Sequence, residues 1–296
     1  MNSLRCWQRR QKWRKMKTRE IPAVESLLKS NERWCMNACG RYINRKSLKG
    51  EVWTLHDETG KPSALVVHAG RGLLPVLCGR THIPALHFLN GFFAAAPVYS
   101  VQGKKTDVLI METEMEKMEM VATEKADFDL MCMDRPPSGF RSAGPPKLII
   151  RKPESTDMES LVALHAAYEK EEVLPPGRNL NLATSRMNME RIFQKEQMLV
   201  AELDGHVIGK INTNAVAFTR CQVGGVYVHP DFRGLGIARR MAGEFIAGLI
   251  AQGRGISLFV KKSNIAARQV YQGIGFEILG NYRINYYAAN IGANRL

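Results

Sequence analysis

Residues 226–240 read Val-Tyr-Val-His-Pro-Asp-Phe-Arg-Gly-Leu-Gly-Ile-Ala-Arg-Arg. A β-branched run enters a short loop holding Gly234 and Gly236. A strongly apolar helical segment, 237–251, leaves that loop and leads to another strand-like run, 256–260. A helix crossing between two strands joins them in parallel, so this stretch requires an α/β layer structure. The loop points several backbone N–H groups the same way, at the positive end of a helix dipole. Its natural ligand is a phosphate, and the glycines let the backbone come close where a Cβ would collide. Two other phosphate loops are excluded. A Walker loop ends in Gly-Lys-Ser/Thr, and none is present. A dinucleotide fingerprint needs a third glycine where Arg239 stands, and it belongs in the first βα turn of its domain.

The flanking sequence fits the same layer. Residues 148–151 read as a short strand. Thr156-Asp-Met-Glu159 has the capping-box spacing, and Leu161, Leu164, His165 and Tyr168 follow on one face of a helix ending near Glu171. Pro175-Pro-Gly177 breaks that helix and stiffens the loop after it. A second helix is expected over 184–196. Strands 197–203 and 206–212 form a hairpin about Asp204-Gly205, and strand 223–228 comes next. A helix over 265–272 precedes strands over 276–279 and 282–287. The expected fold is mixed α/β, with a mostly antiparallel sheet that turns parallel at the crossover and is flanked by helices.

Residues 135–146 contain four prolines and two glycines in twelve positions. Such a segment sustains neither a helix nor a central strand, and 135–147 is read as an interdomain linker. With 296 residues there is room for two domains. The expected division is a basic arm over 1–17, an N-terminal α/β domain over 18–134, and a C-terminal domain over 148–296. In the N-terminal part the pattern predicts helix over 18–50, strands over 52–55, 64–68 and 73–78, a turn at 57–60, and helix over 108–120. Met111, Met115 and Met118 are read as packing residues. The stretch 111–134 is acidic, and no catalytic constellation stands out in this half.

The net charge is +14, and eight Lys and Arg with no acid fall within residues 1–19. An arm carrying Trp7 and Trp13 could touch nucleic acid or an anionic surface, or could simply be solvated. Without it the body is mildly basic, which suits a polyanionic ligand. No run of about 18 apolar residues suggests a membrane span, and no apolar stretch follows the N-terminal charges as in a secretory signal. Of the cysteines only Cys35 and Cys39 are close, and no second pair completes a zinc site. Reduced thiols, no metal and a cytoplasmic location are expected.

Three signatures together resemble the GNAT superfamily of N-acyltransferases. Arg233-Gly-Leu-Gly236-Ile-Ala238 fits that family's Gln/Arg-x-x-Gly-x-Gly/Ala loop. Tyr227-Val-His-Pro230 matches the end of its preceding strand. Asn264, Ala267, Tyr271, Gly275 and Phe276 fall at the spacing of Asn-x-x-Ala-x-x-x-Tyr-x-x-x-Gly-Phe. The resemblance covers about residues 148–288 and implies acetyl-CoA as acyl donor. It implies that Val226 and Val228, flanking Tyr227, hydrogen-bond the pantetheine arm through their backbone. Amides of Gly234, Leu235, Gly236, Ile237 and Ala238 would hold the diphosphate, with charge from Arg233. Asn264 would contact the cofactor arm, and Tyr271 would be the general acid for the leaving thiolate.

The match thins at one point. Many relatives place a glutamate on the strand before the loop as general base, and here that strand begins Gln222-Val-Gly-Gly225. Candidate bases are Glu202, His229 and the carboxylates of 169–172. Glu171 and Glu172, where the first helix meets the acceptor loop, are read as substrate-binding for a cationic amine, against a solvated helix end as the alternative. The expected function is N-acetyl transfer from acetyl-CoA to a primary amine, of a small molecule or a protein, by direct attack on the thioester. The alternative is a non-catalytic acetyl-CoA-binding sensor or interaction module. Nucleic acid is not expected as a partner. The N-terminal half, with its helix, hairpin and strand, is similar to the opening of a second, degenerate GNAT-like domain in a tandem arrangement, lacking the diphosphate loop.

Overall fold

A computed structural model describes residues 12–44, 52–91, 98–174 and 179–287. Its strands in chain order are β1 Arg14–Lys15, β2 Val52–His56, β3 Pro62–Ala69, β4 Gly72–Val76, β5 Ser100–Lys104, β6 Ala122–Met133, β7 Ile149–Arg151, β8 Met198–Leu203, β9 His206–Val216, β10 Arg220–Val228, β11 Gly255–Lys261 and β12 Glu277–Tyr287. The α-helices are α1 Ile21–Ser30, α2 Met36–Ile43, α3 Lys105–Glu116, α4 Met158–Tyr168, α5 Leu182–Lys195, α6 Ile237–Ala251 and α7 Ile265–Ile274. The chain divides into two compact units, Met1–Asp129 with Gly280–Leu296, and Leu130–Leu279.

Within the first unit the strand order is β1-β2-β3-β4-β5-β12-β6. β1 to β4 pair antiparallel, and β4 and β5 then pair in parallel. The core gathers Leu55, Val66, Leu73, Val101, Met111 and Met115, so the methionines do pack. Residues 12–17 of the expected arm belong to this fold. Trp13 is only 8% exposed, donates its indole N–H to the Pro84 carbonyl at 3.2 Å, and meets Phe88 edge-on. It is therefore core, and not an exposed aromatic for a nucleic acid or a membrane. Residues 1–11, with Trp7, lie outside the described residues, as do 45–50 of the helical stretch and 175–178 with Pro175 to Gly177.

Two strands differ from the sequence reading. The helix expected over 108–120 ends at Glu116, and 122–133 is strand β6. Acidic side chains hid it, because Asp127 sits in β6 only by pairing with Lys105 at 2.9 Å and with Arg283 at 2.8 Å. Strands 276–279 and 282–287 are one strand, β12. Gly280 is no turn. It lies beneath the Trp34 ring, 2.6 Å from where a Cβ would stand, and a side chain there would collide.

The second unit has order β6-β11-β10-β9-β8-β7. β7 to β10 are antiparallel and β10 and β11 are parallel, as the crossover requires. The Pro- and Gly-rich stretch lies inside this unit. Phe140 is buried against Gly243 of α6. The Ser138 N–H reaches the Ile274 carbonyl at 3.2 Å, and Arg240 donates to the Arg141 carbonyl at 2.7 Å. Its prolines forbid a helix but not packing, and the division between units falls at Asp129/Leu130 and Leu279/Gly280 instead. The helix start also differs: Asp157, not Glu159, closes the cap, accepting from the Glu154 N–H at 2.7 Å and from Arg151. Glu159 pairs with Arg186.

β10 positions the site. It pairs with β11 from Arg220↔Gly255 to Gln222↔Ser257 and then runs on to Val228. On its other edge Gly224↔Asn212 is followed by Tyr227↔Lys210, so two residues of β10 oppose one of β9. This is a β-bulge, and Gly225 takes it with φ +60. A Cβ there would strike Asn212 and lie 3.0 Å from the Lys210 Nζ. Gly234 has φ +79 but open space around it. Gly234→Ala is therefore expected to cost about 1–2 kcal/mol, the left-handed penalty alone. Gly225→Ala should cost roughly 1–3 kcal/mol more through overpacking. Urea unfolding of the two variants checks the order, and equal midpoints would refute it.

Candidate functional site

The glycine loop opens α6 as expected. Gly236 caps the helix in the left-handed conformation, φ 80. Ile237 turns its side chain into the core, while Gly234 and Leu235 stay exposed, Leu235 at 49%, and Ala238 is half-buried. The first amides of a helix have no partner within it, so this exposed, rigidly capped turn presents donors to an anion. Beside it, β10 pairs with β11 only as far as Gln222, so the backbone of Val226 and Val228 has no ladder partner on β11. A cradle of amides at the end of an opened strand fits a long ligand that ends in a diphosphate.

Arg233 links the loop to the acidic rim. Its Nε donates to the Val228 carbonyl at 3.0 Å, and its guanidinium grips Glu171 through two bonds at 2.9 and 2.8 Å. It also lies over the Tyr227 ring, whose phenol donates to Glu171 at 3.1 Å. Glu171 and Glu172 reach these partners because α4 gives way to a single π turn over Glu169–Val173. Such turns re-aim side chains. The chain leaves the turn extended at Leu174, as a residue before proline does. Glu169 turns toward α5, where Asn188 donates to it at 3.0 Å.

The two rim acids differ in charge behaviour. Arg233 holds the Glu171 carboxyl below its ordinary range. Burial raises that of Glu172, opposed by Lys261. Asn264 caps α7, its Oδ1 accepting from the Ala267 N–H at 2.9 Å, and its Nδ2 donates to Glu172 at 2.9 Å. Tyr271, on α7, is only 7% exposed. Burial raises its phenol well above the ordinary tyrosine value, with Tyr168 and Glu172 pushing the same way. It therefore keeps its proton at neutral pH. The two remaining candidate bases stand apart from these contacts. Glu202 is held by Arg151 at 2.6 Å, and His229 is exposed beside Asp231 and Phe232.

Beneath the bulge lies a group that the sequence pattern conceals. Lys210 is 0% exposed. Its Nζ donates to the Gly225 carbonyl at 2.9 Å and to Asn212 at 3.4 Å, and it sits over the Tyr168 ring. Burial pulls its ammonium down to about 7, with Glu169 pulling the other way. Nothing in the period of 206–216 marks this lysine, since a lone Lys in a strand reads as solvent-facing. The Gly224-Gly225 pair was the available signal, because adjacent glycines inside a strand point to a bulge or a close approach.

A model of the acetyltransferase (GNAT) family matches residues 162–276, from within α4 to just past α7. No curated protein matches the chain. Among solved structures, a GCN5-related N-acetyltransferase from Sphaerobacter thermophilus aligns over 93% of this chain and 95% of its own, with TM-score 0.59 and 18% identity. One from Kribbella flavida aligns over 92% and 96%, with TM-score 0.54 and 13% identity. A Drosophila protein of structural genomics origin aligns over 93% and 98%, with TM-score 0.59 and 11% identity. At such identities the likeness is one of fold, and it spans both units. Family match, strand order and capped glycine loop agree on a GNAT-type domain over residues 162–276.

Proposed function

We propose that this chain is an N-acetyltransferase that moves an acetyl group from acetyl-CoA to a primary amine by direct attack on the thioester. The observation that carries the reading is the parting of β10 from β11 after Gln222↔Ser257, beside a left-handed glycine loop at the start of α6. When bound, acetyl-CoA supplies an acetyl group already activated as a thioester.

The residues divide the work. The backbone of Val226, Tyr227 and Val228 binds the pantetheine arm as an added strand, the amides from Gly234 to Ala238 hold the diphosphate, and Asn264 borders the arm. Arg233 gives its charge to the phosphates in exchange for Glu171. Glu171 and Glu172 then receive a cationic amine. Two neighbouring carboxyls pushed in opposite directions are the mark of divided acid and base roles. Glu172, raised by burial, takes the proton from the acceptor ammonium, and Glu171 stays charged and orients it. Tyr271 keeps its proton and donates it to the departing thiolate. An enclosed phenol beside the rim acids favours turnover over a purely binding role. The first unit repeats the antiparallel-then-parallel strand order with no capped glycine loop among its described residues, and we read it as a degenerate GNAT-like domain that does not bind the donor in this way.

A thermal shift with acetyl-CoA followed by thiol release over an amine panel tests the reading, and a chain that binds no coenzyme A ends it. Tyr271→Phe is expected to lower kcat by roughly 10²-fold or more with little change in coenzyme A affinity; parallel losses of both would assign Tyr271 to binding. Glu172→Gln should lower kcat at neutral pH and remove the acid limb of the kcat/KM profile. An unchanged limb would move the base elsewhere.

A further inference from the structure

We propose that Lys210 is a positioning residue, its amine locking the β10 bulge in the shape that opens the strand to the acyl donor; this rests on the reading of acetyl-CoA as that donor. At a bulge the backbone loses its ladder partners, and each buried N–H and C=O must find another. At Gly225 side chains take up that place. Lys210 donates to its carbonyl at 2.9 Å, and its peptide N–H faces the Tyr168 phenol, whose proton it helps to release against burial. The left-handed φ of +60 and the crowding by Asn212 and Lys210 leave that position no side chain of its own. A buried ammonium whose hydrogen-bond partners are neutral is costly, and an aliphatic side chain of equal length would fill the same volume. What the amine adds is the grip on one peptide group, at the point where β10 leaves β11.

That grip changes with pH. His165 and Tyr168 face the amine from α4, Glu169 from the π turn, Tyr227 from β10 and the apolar Val200 from β8. Burial holds His165 at about 4 and Tyr168 at about 12, and it raises Tyr227. Lys210, near 7, changes charge across neutrality. Its folded value lies below the unfolded one of about 10.4. Above pH 7 the unfolded chain therefore holds more protons, and stability rises with pH through that window.

The test uses the full chain and Lys210→Met. At about pH 6, exchange of the amides of Gly225, Val226 and Tyr227 is expected to be about tenfold faster in the variant, the loss of one charge-assisted bond. Its urea midpoint should be unchanged or higher and should lose the rise with pH. Its coenzyme A affinity should fall about tenfold at about pH 6, with the gap narrowing by about pH 8.5 as the parent's amine neutralises. Parent-like exchange in the variant overturns the proposal, whatever coenzyme A does. Should the parent bind no coenzyme A, the donor reading fails while the exchange still decides the lysine. Asn212→Ala, which removes one acceptor of the amine, should speed the same exchange about threefold. It stands in if the methionine variant does not fold, and unchanged exchange there overturns the proposal equally.

Discussion

The parting of two parallel strands is the constraint on which the second unit depends. β10 and β11 are held together at their start by Arg220, which is buried and bonds the Ser257 hydroxyl and the Asp134 carboxylate. Three register pairs later the ladder stops. A sheet normally closes such an edge, because open backbone groups are costly when dry and sticky when wet. Here the edge stays open where the bulge at Gly225 and Val226 turns β10 aside. The glycine loop, the start of α6 and the rim acids all sit around the opening this makes. Lose the bulge and the side chains remain, but there is no slot for them to serve.

Charge is distributed with the same economy. Glu171 and Glu172 are neighbours in sequence, yet one meets an arginine fork and the other an amide and a partly buried setting. Their ionisation is therefore driven apart by these unequal surroundings. The π turn brings this about, since a continued α-helix would carry the two acids around the axis and away from Arg233 and Asn264.

Much of this was legible beforehand. The crossover, the glycine loop and the Asn264 and Tyr271 spacing lie in short, contiguous signals set by backbone chemistry. What stayed hidden depended on distant partners. Strand β6 is acidic, and Lys105 and Arg283 neutralise its Asp127. Gly280 reads as a break, but it is there for the Trp34 ring. The prolines of 135–146 read as a tether, but Phe140 is packed under α6. Lys210 reads as a surface lysine because its partners are a carbonyl on another strand and a ring on a helix. Local pattern reports propensity; these features answer to packing, which one window of sequence cannot display.

The second strand to break the expected layout has its own implication. β12 begins in one unit and finishes in the other, lying between β5 and β6 in the first. The N-terminal unit is therefore not a contiguous piece of chain. During synthesis its early strands can pair among themselves, but the gap beside β5 stays unfilled until residues 280–287 leave the ribosome. A nascent or shortened chain would carry that unpaired edge exposed, and cutting the gene at the apparent midpoint would separate a sheet from its own final strand.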